Sequence, residues 1–289
     1  MKILVTGSDG QLGTDLCIAL KNHELVSLTI QDGDIADLDF IKGRALKHRP
    51  DVIINTASFV RVDDCEDQRE LAFRVNALGA KNAALAAQEI GAKLVHISTD
   101  YVFGGGAVLR NTPYLEDDQP SPCNVYGASK QEGDDHVRSI CNNHVIVRAS
   151  ALFGTAGAMG KGGNFVETMI KLAAERPELR VVNDQVFSPT YTHDLALKIA
   201  QIIETEFNGI IHVTNAGACS WHEFTVEILR QAGLKTPVVP ITSDQFPQKA
   251  KRPRYSVLGH GVLQRLGLDD LPPWQKALTD YLKRKGHIR

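Results

Sequence analysis

Residues 2–13 read KILVTGSDGQLG and decide the fold. The apolar run at residues 2–6 predicts a buried strand, and the apolar spacing over residues 11–21 predicts a helix directly after it. The glycines between them, spaced GxxGxxG, allow a tight turn and a close approach of the backbone to a phosphate. The N-terminus of the helix would then direct its N–H groups and its positive dipole at that phosphate. The stretch predicts a dinucleotide-binding loop made of Gly7, Gly10, Gln11, Leu12 and Gly13.

Further along the first half, short apolar runs alternate with helical patterns. The runs predicted as strands are residues 2–6, 24–29, 51–55, 93–98 and 144–148. Strands that alternate with helices imply crossover connections and a parallel sheet. We therefore predict an α/β fold, a Rossmann-type doubly wound parallel sheet. Residues 1–150 are predicted as the NAD(P)-binding domain, and residues 151–289 as a smaller C-terminal α/β substrate-binding part that is partly interleaved with the sheet.

The second half is less regular. Residues 154–163 are rich in glycine and are predicted to form a loop. The predicted helices cover residues 71–90, 164–176, 194–207 and 220–232. The predicted strands cover residues 179–182, 209–214 and 237–241.

Composition excludes several classes of function. The 289 residues carry 32 basic and 34 acidic side chains, a net charge of −2, and no basic stripe, which argues against a nucleic-acid binder. No apolar run is long enough for a membrane span. Five scattered cysteines without a CxxC pair indicate reduced thiols and a cytoplasmic location. No metal site is predicted, because the histidines lack zinc spacing and the acidic residues 63–67 are typical of a solvated helix start; a dependence on magnesium is left open.

Tyr126 and Lys130 are the candidate catalytic pair. In a helix, residues four apart lie on one face, so the ammonium would stabilise the phenolate and lower the phenol pKa from about 10. Such a tyrosine can give a proton to a developing alkoxide. Ser98 and Thr99 end the strand at residues 93–98, at the sheet edge where open α/β folds bind ligands. The residues predict a reductase that protonates a ketone.

These motifs, and the order in which they occur, are similar to those of a known family. The matching stretches are residues 5–13, 49–55 (RPDVIIN), 98–104 (STDYVFG), 126–130 (YGASK), 184–185, 188–191 (SPTY) and 252–255 (RPRY). The chain resembles an extended short-chain dehydrogenase/reductase, and specifically the dTDP-4-dehydrorhamnose reductase family. The resemblance spans most of the chain and implies NADPH- or NADH-dependent reduction of the 4-keto group of dTDP-4-dehydro-L-rhamnose.

The resemblance also implies roles for residues. Thr99 and Tyr126 would contact the sugar ketone, with Tyr126 as proton donor and Lys130 tuning it, and Asp100 would help to bind the sugar. Lys130 would also hold the nicotinamide ribose. Around the cofactor, the glycine loop would hold the pyrophosphate, and the remaining predicted contacts are Asp34 and Ile35 near the adenine and Ala57, Ser58 and Phe59 along the cleft.

Two arginines, and one position at which the chain differs from the family pattern, concern the substrate site. Arg252 and Arg254 suit a substrate diphosphate, because a guanidinium matches phosphate oxygens; a solvated basic tail is the alternative. Ala151 stands where members of the family often carry a tryptophan that packs on the sugar. Trp221 is interpreted as helix-start packing, and His96 as a core histidine.

Several alternatives stay open. Asp32, near the end of the second strand, is a candidate ribose ligand, but the preference between NADH and NADPH is left undetermined. Another sugar-nucleotide epimerase or dehydratase, or a non-catalytic NAD(P)-binding regulatory subunit, are the rival functions. The expected assembly is a monomer or a homodimer. The expected substrate is a nucleotide sugar.

Overall fold

The computed structural model describes residues 1–106, 110–157 and 163–289. Its strands are β1 (Lys2–Thr6), β2 (Glu24–Leu28), β3 (Val52–Asn55), β4 (Lys93–Thr99), β5 (His144–Ala149), β6 (Leu152–Phe153), β7 (Leu179–Val182), β8 (Val186–Phe187), β9 (Thr190–Tyr191), β10 (Gly209–His212), β11 (Cys219–Ser220) and β12 (Val238–Ile241). Its helices are α1 (Gln11–Ala19), α2 (Leu38–His48), α3 (Val62–Asp67), α4 (Arg69–Phe73), α5 (Gly79–Ile90), α6 (Val125–Ile140), α7 (Phe165–Glu175), α8 (Thr192–Ile202), α9 (Trp221–Gln231), α10 (Gly261–Arg265) and α11 (Trp274–Arg284). Of the glycine-rich segment predicted as a loop, residues 158–162 lie outside the described residues.

A parallel sheet forms the centre of the molecule. Within the described residues it has six strands in the order β10-β5-β4-β3-β1-β2. The order reverses at β1, which is the topology of a doubly wound sheet and brings the carboxyl ends of β1, β3 and β4 to one edge. This confirms the predicted α/β class. Strand β10 joins the sheet from the second half of the chain, while the division at residue 150 stays a prediction.

Both faces of the sheet are covered. One core lies under α1 and α8, where Leu16 and Ile199 are fully buried. The other lies under α2, α5 and α6 and contains Ile53 and Ala83. The strands are apolar on both sides for this reason, which is why they read as continuous runs in the sequence.

A third core belongs to the C-terminal part. Helices α7, α9 and α11 enclose an aromatic cluster in which Phe153 contacts Tyr191, Phe224 and Tyr281. Short strand pairs border it: β12 lies parallel to β7, β6 parallel to β9, and β11 antiparallel to β8. Helices α2, α10 and α11 were not predicted from the sequence.

The predicted helix at residues 71–90 is confirmed as helical throughout, but it is not a single α-helix. A π-helical turn at Arg74–Leu78 separates α4 from α5. The buried Asn76 sits in that turn and donates from its amide to the Phe59 carbonyl (3.1 Å) and the Ser129 hydroxyl (2.9 Å). These bonds tie the loop after β3 to α6. No helix in the described parts of the chain combines the length and apolarity needed to cross a membrane.

Candidate active site

A cavity of about 560 Å³ opens where the central strands end. Its floor comes from the carboxyl ends of β4 and β5 and from the loops that follow β1 and β3. Its far wall comes from α7, β7, β8 and α9 of the C-terminal part. The position matches the crevice in which open α/β sheets bind their ligands.

The glycine loop forms one side of this cavity. Gly7 has a φ of 65°, and a Cβ at position 13 would overlap the Gly7 carbonyl, so both positions need glycine. Helix α1 begins after Gly10 without a side-chain cap and without an acidic residue in its first turn. The carboxamide oxygen Oε1 of Gln11 is buried and has no hydrogen-bond partner among the described residues. Free helical N–H groups and a small-residue surface fit the pyrophosphate of a dinucleotide.

Helix α6 places the predicted catalytic pair. Its N-cap Asn124 accepts from Gly127 N (2.8 Å), and Val125 N donates to Glu66 Oε1 (2.9 Å). A Cβ at Gly127 would overlap the Tyr101 carbonyl, so glycine lets the helix start close to the end of β4. Tyr126 and Lys130 therefore both line the cavity, as the spacing predicted.

The pKa of the Tyr126 phenol differs from the value expected from the sequence. Burial raises its pKa above the ordinary value, and a hydrogen bond with Thr99 acts in the opposite direction. The expected lowering of this pKa is therefore wrong for the protein without ligands, because desolvation of the phenolate outweighs the stabilising contact. A tyrosine with a raised pKa stays protonated, which is the state that a proton donor needs.

Lys130 is fully buried and points toward β4. Its ammonium donates to the Ile97 carbonyl (2.6 Å) and lies 3.5 Å from His96 Nε2. Burial lowers the Lys130 pKa to about 8, and the charge of Asp134 opposes that effect. His96 is a buried core residue, as predicted, and burial keeps its pKa well below the ordinary value, so it is neutral.

Asp100 is buried where three segments meet. Its Oδ2 accepts from the hydroxyls of Ser150 (2.8 Å) and Ser256 (2.6 Å), and its Oδ1 from Thr99 (3.2 Å). Burial raises the Asp100 pKa to about 6, although these bonds favour the carboxylate. The residue lines the cavity, and its bonds brace β4, β5 and the C-terminal part around the site.

Aromatic side chains form the far wall. Trp221 begins α9, where its ring lies 4.0 Å from Phe187 and 4.5 Å from Phe165, centroid to centroid. All three line the cavity, so Trp221 combines the predicted helix-start packing with an exposed face on the site. Ala151 faces the same space and has a φ of 44°, a left-handed conformation that costs an alanine about 1–2 kcal/mol.

The two predicted arginines lie in different surroundings. The Arg252 guanidinium lines the cavity and makes two bonds to Asp63, at 2.8 and 3.0 Å. Arg254 does not line it; its side chain is 53% exposed and lies 4.0 Å from Asp244. Asp63 lies in the first turn of α3, so the predicted solvated helix start also holds Arg252.

Comparison with known proteins identifies the family. The family model described as the RmlD substrate binding domain matches residues 1–286. The chain belongs to this family. It is 41% identical to the spore coat polysaccharide biosynthesis protein SpsK of Bacillus subtilis (strain 168), covering 98% of each chain. It is 39% identical to dTDP-4-dehydrorhamnose reductase of Mycolicibacterium smegmatis (strain ATCC 700084 / mc(2)155), covering 96% of this chain and 84% of the relative.

A solved structure agrees in fold with this RmlD family member. The crystal structure of dTDP-4-dehydrorhamnose reductase from Bacillus anthracis str. Ames, in complex with NADP, superposes with a TM-score of 0.92 at 40% identity. The match covers 98% of this chain and 99% of that one. The fold class and the family resemblance seen in the motifs are thereby confirmed.

The cavity gathers most of the site residues predicted for the RmlD family member. Those that line it are Gly10, Gln11, Leu12, Gly13, Ser58, Thr99, Asp100, Tyr126, Lys130 and Arg252. Those that do not line it are Gly7, Asp34, Ile35, Ala57, Phe59 and Arg254. Asp34 pairs with Arg74, Ile35 is buried beside Gly79, and Asp32 accepts from Thr29, so their cofactor roles stay predictions.

The sequence did not reveal every residue at the site. The aromatic wall and Ser256 come from segments far along the chain. Asn76, which does not line the cavity but holds Ser58 and Phe59 through hydrogen bonds, lies inside an alanine-rich helix pattern. The sequence carried a signal only for Asn76, which is a polar residue on an otherwise apolar helical face. Among the described residues, no group of three or more His, Cys, Asp or Glu side chains is arranged to hold a metal ion.

Proposed function

We propose that this protein reduces the 4-keto group of dTDP-4-dehydro-L-rhamnose to give dTDP-L-rhamnose, with NADPH or NADH as reductant. One observation carries the proposal: Thr99, Tyr126 and Lys130 meet in a cavity between the glycine loop and a wall of aromatic and cationic residues. The relatives named for this reaction match over nearly the whole chain.

The glycine loop is the proposed cofactor site. The N–H groups at the start of α1 would hold the pyrophosphate, and Gln11 offers a buried carboxamide oxygen without a protein partner. Ser58 lines the cavity after β3, while Asp34 and Ile35 follow β2 on the side proposed for the adenine. When bound, the reduced nicotinamide supplies the hydride.

Tyr126 is the proposed proton donor. As the ketone carbon is reduced, charge develops on its oxygen, and a phenol that is held protonated by burial can transfer its proton there. The Thr99 hydroxyl faces the same phenol and helps to orient the ketone oxygen. The Lys130 ammonium stabilises the phenolate that remains after transfer.

The far side of the cavity is the proposed nucleotide-sugar site. Arg252 is partly buried and held in a fixed position by Asp63, so its guanidinium is preorganised for a diphosphate. The rings of Phe165, Phe187 and Trp221 offer an apolar surface for the rest of the ligand. Ala151 leaves room where a larger side chain would contact the sugar.

An assay with purified protein tests the function. We expect dTDP-4-dehydro-L-rhamnose to cause oxidation of NADPH or NADH, followed by absorbance, and one equivalent of dTDP-L-rhamnose to form, followed by NMR. UDP-glucose is the control for an epimerase, and dTDP-glucose for a dehydratase. Turnover of either control without reductant, or cofactor binding with no consumption, would replace the reductase by one of the rival functions.

The cellular setting follows from the same proposal. A cytoplasmic location is proposed from the cysteine pattern, and a monomer or homodimer is the proposed assembly. Both are tested by fractionation of the source cells and by sedimentation of the purified chain.

A further inference from the structure

A row of buried polar side chains crosses the sheet beneath α6. The strand registers align Thr6 with Asn55, Asn55 with His96, Ser98 with Arg148, and Arg148 with His212. None of these six side chains is more than 6% exposed. The same sheet face is otherwise apolar, and burying polar groups there is costly unless they are hydrogen-bonded. The row runs directly under the Lys130 ammonium.

The hydrogen bonds of the row fix the proton on His96. The Asn55 Oδ1 accepts from the Thr6 hydroxyl (2.8 Å) and from Ala57 N (3.2 Å), so its amide nitrogen must face His96 Nδ1 (3.2 Å). The Nδ1 atom is then an acceptor, and the neutral ring carries its proton on Nε2. That N–H cannot bond to an ammonium, which is also a donor. Asp134 Oδ1 lies 3.7 Å from the same nitrogen, beyond hydrogen-bond distance, and has no hydrogen-bond partner among the described residues.

Asp134 lies two turns after Tyr126 and one turn after Lys130 on the buried face of α6. Its Oδ2 accepts from the Ser98 hydroxyl (2.9 Å) and from Arg148 Nε (3.4 Å). Burial raises the pKa of this carboxyl above its ordinary value, and the charges of Arg148 and Lys130 oppose that effect. The carboxylate therefore contacts Arg148 directly and acts on the buried Lys130 through its charge.

We infer that Asp134 is a positioning residue for the proposed reduction, because its carboxylate keeps the Lys130 ammonium charged inside the protein in competition with Arg148. The neutral His96 ring lies between the two, with its Nε2 3.5 Å from the Lys130 ammonium and 3.7 Å from Asp134 Oδ1. The inference rests on the proposed role of Lys130 in stabilising the Tyr126 phenolate.

The charges around Lys130 make the effect directional. Asp134 acts on it from α6, and His96 on β4 lies 3.5 Å from it. Arg148 on β5 contacts Asp134, and His212 on β10 is aligned with Arg148. The titratable groups that act on Tyr126 are Asp100 after β4, Cys65 on α3 and Asp134. Without Asp134, two buried cations would remain without a shared anion. A guanidinium does not lose its proton, so Lys130 would.

The sign of the expected change follows. A positively charged Lys130 is needed for catalysis, and its pKa of about 8 limits activity on the alkaline side. Asp134→Asn keeps the size of the side chain but removes its charge, so the Lys130 pKa should fall by about one unit or more, and the alkaline limb of kcat should move to lower pH by the same amount. Arg148→Met removes the competitor and should move both quantities to higher pH.

Two measurements on the full-length protein test the inference. NMR of protein labelled at the lysine ε-carbon follows the Lys130 titration without substrate or cofactor, with Lys130→Arg to assign the signal. The pH profile of kcat is recorded for the same variants. Asp135→Asn is the matched control, since it removes a carboxylate that is 58% exposed on the same helix. We expect opposite shifts for Asp134→Asn and Arg148→Met, and none for Asp135→Asn.

The outcomes separate the two proposals. An unchanged Lys130 titration in Asp134→Asn overturns the inference, and so do shifts of the same sign in both variants, which indicate general damage. A shifted titration with an unmoved kcat profile overturns the positioning role. Wild-type turnover in Lys130→Met overturns the proposed role of Lys130. Absence of reduction by the wild-type protein overturns the proposed function itself, while the titration result stands. If Asp134→Asn does not fold, Arg148→Met alone still gives a signed result.

Discussion

Tyr126 and Lys130 lie one turn apart on α6, yet their polar ends contact different partners. The Tyr126 phenol meets Thr99, whereas the Lys130 ammonium donates to the Ile97 carbonyl at 2.6 Å. The phenol is therefore kept protonated by its surroundings, and the ammonium is held below it by β4. This division suits a reductase, in which the phenol must give a proton before the ammonium stabilises what remains.

Removal of the phenol hydroxyl should stop proton transfer and leave the fold intact. In Tyr126→Phe we expect kcat to fall by about 10²–10⁴, the usual contribution of a positioned acid. The dissociation constant for NADH, measured by fluorescence, should change little, because the ring and the glycine loop remain. Tyr114→Phe is the control, since Tyr114 packs on Phe103 outside the cavity. Normal turnover in Tyr126→Phe would exclude this residue as the donor.

The arginines allow a paired test of the diphosphate site. Arg252→Met should raise KM for the nucleotide sugar by about 10-fold or more with a smaller effect on kcat, because a charged contact with the diphosphate is lost. Arg254→Met removes the same charge from an exposed position and should have a much weaker effect. Steady-state kinetics at fixed NADH measures both. Equal effects of the two variants would favour a diffuse basic surface instead of a bound diphosphate.

How far the sequence predicts the structure depends on the range of the interactions involved. The central strands and the glycine loop follow from local patterns, because a strand buried on both faces has a continuous apolar run. Helix α11 was missed since its apolar face, including Leu278 and Tyr281, is matched only to the aromatic core of the C-terminal part. The π-helical turn at Asn76 depends on partners in two other segments, Phe59 and Ser129, which no local pattern shows.

The candidate site likewise depends on contacts between distant segments that the sequence does not show. Tyr126 and Lys130 were predicted from a four-residue spacing, but the raised phenol pKa depends on burial, which only the folded chain defines. The different environments of Arg252 and Arg254 depend on Asp63, which is 189 residues away from Arg252 in sequence. Sequence motifs therefore predict which residues belong to the candidate site, whereas tertiary contacts determine the protonation state and the surroundings of each one.

Two glycines with opposite surroundings test the phosphate loop. A Cβ at Gly13 would overlap the Gly7 carbonyl, so Gly13→Ala should distort the loop and weaken NADH binding, by about 10-fold or more on the scale of a lost buried contact. Gly43 lies inside α2 with open space around it, so Gly43→Ala should stabilise the protein by about 0.5–1 kcal/mol. Fluorescence titration and urea unfolding measure the two effects. Unchanged NADH affinity in Gly13→Ala would remove the loop from the cofactor site.

The buried Asp100 gives a prediction for stability against pH. Its pKa in the fold is about 6, above the value of 3.8 for a free side chain, so the fold favours the protonated form. The stabilisation from this proton is complete below about pH 4 and is lost as pH rises through about 6. In Asp100→Asn the side chain stays neutral, and its amide oxygen still accepts from Ser150 or Ser256.

Urea unfolding of the wild type and of Asp100→Asn between about pH 4 and about pH 7 isolates this effect, because other titrating groups are common to both proteins. The free energy of unfolding of the wild type should fall relative to the variant by about 3 kcal/mol across that range, the value of a shift of roughly two pKa units. Asp117→Asn, in an exposed loop, should give a curve parallel to the wild type. If the Asp100→Asn curve is also parallel, Asp100 is ionised in the fold at the same pH as a free carboxyl, and its three hydrogen bonds, not its burial, set its charge.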